Sequence, residues 1–312
     1  MLEVLMVRKP TATGGGGQQE DNKTDVSGLI AKYAGKGSVS AVNVVVAASG
    51  GIAIYNNQLI IISAGSISYY DINTFALIKT TTNNLTINVS YNAVAHQSGK
   101  HWWSGQDRTT AAIYHVDLET GAVTLYPTPP VKKGMFYAYK DKLWLLGGWV
   151  GTTSNNRTIY SIDIANPTAW TSRTLSADLP MQLHGSAAYF TTKGLVAFVG
   201  GGLSNAASTT DGAAYSTIMT MNPDSFAFGS IPAANMGGGY HNPNFIVKDT
   251  AYQFKYTNTG YRWPLGDTGP TGSITPAPTI SGFHNQFGLA GRVAFYGNSY
   301  STAPVYLYVL PE

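Results

Sequence analysis

Apolar and polar residues alternate in short runs along most of this chain, and the runs come in pairs around tight turns. Strand-like segments flank turns at Asn56-Asn57, Gln97-Ser98-Gly99, Lys140-Asp141, Lys193-Gly194, Lys248-Asp249 and Ala290-Gly291, where Asn, Asp and Gly supply the backbone freedom a hairpin needs. The first four hairpins lead to a third strand of pattern Ile-x-x-x-Asp/Asn: Ile67 to Asp71, Ile113 to Asp117, Ile159 to Asp163 and Ile218 to Asn222. Turn-forming residues follow, so these carboxylates and this amide are expected to bond backbone groups inside a turn and to have no catalytic part. No long stretch has helical periodicity; Val26 to Tyr33 suits one or two helical turns.

A strand-built unit that recurs every 40 to 55 residues or so predicts a β-propeller with one four-stranded blade per repeat. Six hairpins predict six blades. The apolar strand Val42 to Ala47 has no hairpin partner, and the last repeat, ending at Val305 to Leu310, is one strand short. The N-terminal strand is therefore expected to complete the last blade and remove the open edges of the ring. Residues 1–38 stand apart, with a glycine tetrad at Gly14 to Gly17 and a polar stretch from Gln18 to Asp25. They read as a flexible docking arm with little apolar surface for its own propeller, residues 39–312 being the propeller itself.

Composition narrows the function classes. The 312 residues include 35 Gly and 20 Tyr, and only 11% are charged, below the roughly 25% usual for soluble domains. A net charge of +3 with no basic run along a groove argues against a nucleic-acid partner. No apolar run reaches the roughly 20 residues of a membrane-spanning helix, so membrane insertion is not expected. The absence of cysteine removes disulfides and thiolate chemistry together. Met1 to Arg8 is apolar for too short a stretch, with Glu3 in place of positive charge, to match an export signal.

Two second strands carry a family resemblance. Lys142 to Gly148 and Leu195 to Gly201 end in glycine doublets, and Tyr160, Asp163 and Trp170, like Tyr114 and Asp117, fall in the matching places. This resembles the kelch repeat. The resemblance implies a kelch-like propeller, a fold used mostly as a binding scaffold and sometimes by enzymes; it fades to Ala64-Gly65, Ser104-Gly105 and Gly297-Asn298 elsewhere and is missing from the fifth blade.

In a propeller the loops before each first strand share a face with the loops joining strands two and three, here the longest of the chain: Gly105 to Thr110, Trp149 to Thr158, Gly202 to Ala214 and Gly297 to Ala303. Binding is expected on that face. Gly239-Tyr240-His241-Asn242 and Gly282-Phe283-His284-Asn285 repeat one motif, and His184 holds the equivalent place in the fourth blade. These residues offer three readings: hydrogen-bonded ties between blades, a ligand clamp over His184, His241, His284, Asn242 and Asn285, or a metal site. The tie is the simplest, and no resident metal or cofactor is assigned. Trp103, Trp149 and Tyr300 with Arg108, Asn155, Asn156 and Arg157 form a second candidate set, flat apolar faces beside hydrogen-bonding groups as sugar recognition uses. His101 and His115 fall inside strands, and His96 precedes a hairpin turn.

Sialidase-like propellers carry Ser-x-Asp-x-Gly-x-Thr-Trp boxes, absent here, and the kelch-type copper oxidases use a Tyr-Cys crosslink that a cysteine-free chain cannot form. Four Glu, at 3, 20, 119 and 312, leave a paired-carboxylate glycosidase to rely on Asp107 and Asp211. A non-enzymatic protein is expected. The Cys-free, Gly/Thr/Asn/Tyr-rich β-chain with a docking arm looks like the appendage and tail proteins of tailed bacteriophages. That likeness implies a virion structural protein for assembly contacts or host-surface attachment, joined to other virion proteins through its arm and homo-oligomeric in the assembly. The alternatives are a secreted or surface glycan-binding, lectin-like propeller and a polysaccharide-active enzyme.

Overall fold

The computed structural model describes residues 24–47, 50–85, 94–105, 112–132, 134–150, 153–154, 157–179, 187–199, 215–236, 244–255, 259–265, 272–276, 278, 287–297 and 302–312. Among the described residues every regular element but one is a strand. Blade 1 is Gly51–Tyr55, Gln58–Ser63, Ser66–Asp71 and Leu77–Thr82. Blade 2 is Val94–Ser98, His101–Gly105, Ile113–Asp117 and Val123–Leu125. Blade 3 is Met135–Tyr139, Lys142–Leu146, Thr158–Asp163 and Thr171–Thr174. Blades 4 and 5 begin at Ala187–Phe190 and Asn244–Val247 and repeat the same antiparallel order.

Blade 6 takes three strands from the end of the chain, Phe287–Ala290, Val293–Tyr296 and Ala303–Val309, and its fourth from the beginning, Val39–Val46. Val39 pairs with Leu307 and Val46 with Ala303, across an irregularity between Ser40 and Val45 in which Asn43 has φ 65°. The first strands of blades 6 and 1 lie side by side, which closes the ring. The chain is a six-bladed β-propeller sealed by its own N-terminal strand, as its leftover strands imply.

The hairpin turns obey backbone chemistry. Asn56 and Asn57, Lys140 and Asp141, and Lys248 and Asp249 all have φ between 46° and 60°, the double left-handed form of a two-residue hairpin. Two turns differ from the sequence reading by a residue or two. Ser98 pairs with His101 and Ala290 with Val293, so the turns are Gly99-Lys100 and Gly291-Arg292. In blade 4, Phe190 pairs with Val196 and Lys193-Gly194 sits inside a longer connection.

The Asp/Asn turns close as the pattern requires. The Asp71 Oδ1 accepts the N–H groups of Asn73 and Thr74, the Asp117 Oδ1 those of Glu119 and Thr120, and the Asn222 Oδ1 those of Asp224 and Ser225. Asp163 is the exception; it is exposed and pairs with Lys142 at 3.4 Å. The Gly147-Gly148 doublet has a physical reason, since both residues have positive φ and a Cβ on Gly148 would sit on the Lys132 carbonyl oxygen and 2.7 Å from the Gly134 nitrogen.

The arm reading needs correction in its second half. Residues 1–23 lie outside the described residues, but Ser27–Tyr33 is a helix docked on the seam between blades 6 and 1. Leu29 is 1% exposed, and with Val26 it joins a cluster containing Ile52, Ile54 and Phe75 of blade 1 and Phe295, Val305 and Leu307 of blade 6. The Asp25 N–H bonds the Asn57 side chain at 2.7 Å, and the Ser38 hydroxyl meets that of Tyr296. Two or three apolar side chains in a polar stretch suffice for this, because the seam offers them a ready-made groove.

Leu29→Ala should therefore lower the unfolding free energy by about 2–5 kcal/mol, the usual cost of emptying a packed leucine site. Equilibrium denaturation measures this; a change under about 0.5 kcal/mol would mean that the helix is not part of the closure.

Candidate functional site between blades 2 and 3

In a strand successive side chains point to opposite faces, and blade 2 uses this to hold both neighbours. Trp102 belongs to the cluster with Ile60, Ile62 and Tyr69 of blade 1, while Trp103 packs with Phe136, Leu145 and Ile162 of blade 3. His96 and Gln97 divide in the same way. Gln97 donates from Nε2 to the Ile54 carbonyl and accepts the Ile54 N–H on Oε1 at 3.1 Å. His96 accepts the Ala138 N–H of blade 3 on Nε2 at 3.2 Å.

The face turned to blade 3 carries a row of rings set by strand register. His96 lies opposite Trp103 and Trp103 opposite His115, so three strands contribute one side chain each. His101 and Asp117, also opposed, lie two residues further on the same face. The Trp103 ring centroid is 5.8 Å from His96, 5.7 Å from His101 and 5.4 Å from His115, with Tyr126 5.7 Å beyond His115. His101 Nδ1 and His115 Nε2 are 2.9 Å apart and share one hydrogen bond. Such a bond needs one nitrogen protonated and the other bare, so the two rings are never both imidazolium and a pair of neutral imidazoles makes it.

Electrostatics agree with that state. Burial lowers His101 below its ordinary value, and burial together with His101 pushes His115 down to about 4. Asp117 stays low: burial works to raise it, but the Thr120 N–H and Lys100 outweigh burial. Lys100 bridges Asp117 at 3.0 Å and Glu119 at 3.1 Å, which neutralises the acid side of the cluster.

His101 forms the wall of a cleft of about 670 Å³ between blades 2 and 3 on the hairpin face. Ser98 stands beside it; Ala138, Tyr139, Lys140 and Asp141 of the blade 3 hairpin face it, with Ile164 and Ala165 beyond. Lys140 and the Tyr139 hydroxyl are already engaged by Asp224 of blade 4. Asp141 differs. The other described carboxylates each meet a cation, a hydroxyl or a turn N–H, whereas that of Asp141 has no partner among the described residues.

The residues picked from sequence fare differently. Trp103 is no loop platform: it stands in a strand, 0% exposed, in the centre of the ring row. Trp149 is also buried, in the two-residue strand Trp149–Val150, its backbone paired with Lys132. Both indoles were drawn inward because a large apolar ring gains most where blades meet. Arg157 is exposed and sits 3.7 Å from Asp178. Arg108, Asn155, His184, His241, Asn242, His284 and Asn285 lie outside the described residues. The cleft is on the face opposite the one favoured by loop length. Among the described residues a histidine that ties blades is His96. Among the described residues no three His, Asp or Glu converge as metal ligands.

No known protein family matches the chain, and no curated protein does. Solved structures do. The WD40 repeats of RRP9 align with 89% of this chain and 99% of theirs at TM-score 0.50 and 9% identity. U3-55K aligns with 88% of this chain and 98% of its own at 0.49 and 9%, and YjhT with 66% and 71% at 0.49 and 12%. At such identities the likeness to the RRP9 repeats is one of fold alone, and 1073 solved chains match this one.

The ties and the imidazole pair make two expectations. Gln97→Leu strands both polar groups of Ile54 and His96→Phe strands the Ala138 N–H while keeping a ring on Trp103; each should cost about 1–3 kcal/mol per stranded group by denaturant titration. For His115 the folded value lies below the unfolded one, so its contribution is complete above pH about 6.5 and is lost as pH falls toward 4. The loss is on the order of 3 kcal/mol. His115→Phe should flatten the stability profile in that window; an unchanged slope would show that His115 does not titrate as described.

Proposed function

We propose that this propeller is a non-enzymatic binding and assembly protein of a tailed-bacteriophage virion, a kelch-like appendage component that contacts the host surface. The observation that carries the binding reading is how the described polar groups are used. Described carboxylates close turns and bridge blades, His96 and Gln97 satisfy strand edges, and Asp141, Ser98 and His101 line an open cleft. That arrangement supports holding a ligand in a rigid frame beside a pair of imidazoles that burial keeps neutral. The virion setting rests on the cysteine-free, sparsely charged, Gly- and Tyr-rich composition, and on residues 1–23, with their glycine tetrad, as the docking arm to other virion proteins that precedes the seam helix. The Gly147-Gly148 doublet supports the kelch-like reading. A secreted glycan-binding propeller is the second reading, favoured by the cleft.

Sedimentation decides between the two. Particles banded from a lysate of cells producing the encoding phage should carry the chain, detected with an antibody, at a fixed ratio to capsid protein. Recovery of all the chain in the soluble fraction would overturn the virion assignment.

A further inference from the structure

We propose that the cleft between blades 2 and 3 binds a neutral, hydroxyl-rich saccharide, clamped between Asp141 on one wall and His101 with Ser98 on the other. This rests on the reading of the protein as a binder but not on where it is deployed. The cations near the cleft are already spent, Lys140 on Asp224 and Lys100 on Asp117 and Glu119. An anionic ligand would find no unengaged cation among the described residues there, and would meet the Asp141 carboxylate.

That carboxylate accepts hydrogen bonds only, at two oxygens, which suits a pair of neighbouring hydroxyls. Across from it, His101 has Nδ1 committed to His115 and offers Nε2. Because the pair shares a single proton, Nε2 is an acceptor when His101 donates to His115 and a donor when His115 donates. A hydroxyl, itself both donor and acceptor, is satisfied in either tautomer, as it is by the Ser98 hydroxyl. Ala138 and Ile164 supply an apolar surface for the C–H face of a sugar ring. The volume of about 670 Å³ lies within the range of small-ligand clefts. Asp141 is held in place by the turn: its φ is 60°, and its carbonyl accepts the Ile164 N–H at 3.0 Å.

The test is saturation-transfer NMR on the full chain with methyl glycosides of glucose, galactose, mannose and rhamnose, with dextran oligosaccharides and with spermidine, alongside phosphorus-31 line broadening of inorganic phosphate. Transfer to ring protons of at least one neutral glycoside is expected, with affinity reduced by about tenfold in Asp141→Asn, which keeps a residue suited to left-handed backbone, and in His101→Gln, each checked for an intact melting transition. No transfer from any glycoside, binding of spermidine or phosphate in preference to sugar, or sugar binding unchanged in both folded variants would each overturn the proposal. Glycoside binding by a chain that stays off particles would sink the virion setting and leave the cleft assignment standing.

Discussion

The inner strand of each blade has a neighbour on only one side, and the rest of the structure depends on how its bare edge is satisfied. Every second residue of such a strand turns its N–H and C=O away from its partner, and a buried group left without a bond costs more than a good bond returns. Gln97 meets this constraint by acting as a short piece of strand: its side-chain amide gives and receives with Ile54 as a backbone amide would. His96 does half of the same for Ala138. Because consecutive residues point opposite ways, the two adjacent residues bind blade 2 to both of its neighbours, and Trp102 and Trp103 repeat the division one strand further out.

The other seams are closed by different chemistry at comparable places. Blades 3 and 4 are joined by Tyr139 and Lys140 on Asp224, and blades 4 and 5 by Thr192 on Asp249. Phe254 of blade 5 lies 6.0 Å from Tyr296 and 5.1 Å from Tyr308 of blade 6, and the Tyr252 hydroxyl donates to the Pro311 carbonyl. Exposed pairs such as Lys140 and Asp224 are worth little each. The two ends of the chain meet inside blade 6, and the adjoining seam with blade 1 is closed by apolar packing under helix Ser27–Tyr33 and strand Val39–Val46. The antiparallel pairing of Val39–Val46 with Ala303–Val309, where the chain has no covalent continuity, is what keeps the ring from opening.

Blade number, closure and the Asp turns were legible because each rests on a local rule. Two-residue turns mark hairpins, a strand without a partner needs one, and an Asp after an isoleucine-led strand has turn N–H groups to accept. The imidazole row was not legible for a reason of register. With the turn at Gln97 to Gly99, His96, Trp103 and His115 fall out of line; moved to Gly99-Lys100, they align across three strands. A shift of one or two residues thus separates three scattered histidines from a cluster. Loop length misled for a related reason, since it reports where the chain is tolerant of insertion and says nothing of which polar groups the blades have left unpaired. Val26 and Leu29 were hidden by their polar surroundings, because their groove is built by residues at both ends of the chain.

The same register explains why the cleft and the seam cannot be varied independently. His101 is held below its ordinary value by burial against Trp103 and is bonded to His115, and both of those rings stand in the row that begins with the blade tie at His96. A change that loosens the contact of blades 2 and 3 therefore alters the hydration of the imidazole pair and the spacing between the His101 and Asp141 walls together. Stability and the proposed recognition are coupled through one row of side chains, which sets a single shared proton on one side of the cleft against a carboxylate that has no partner among the described residues on the other.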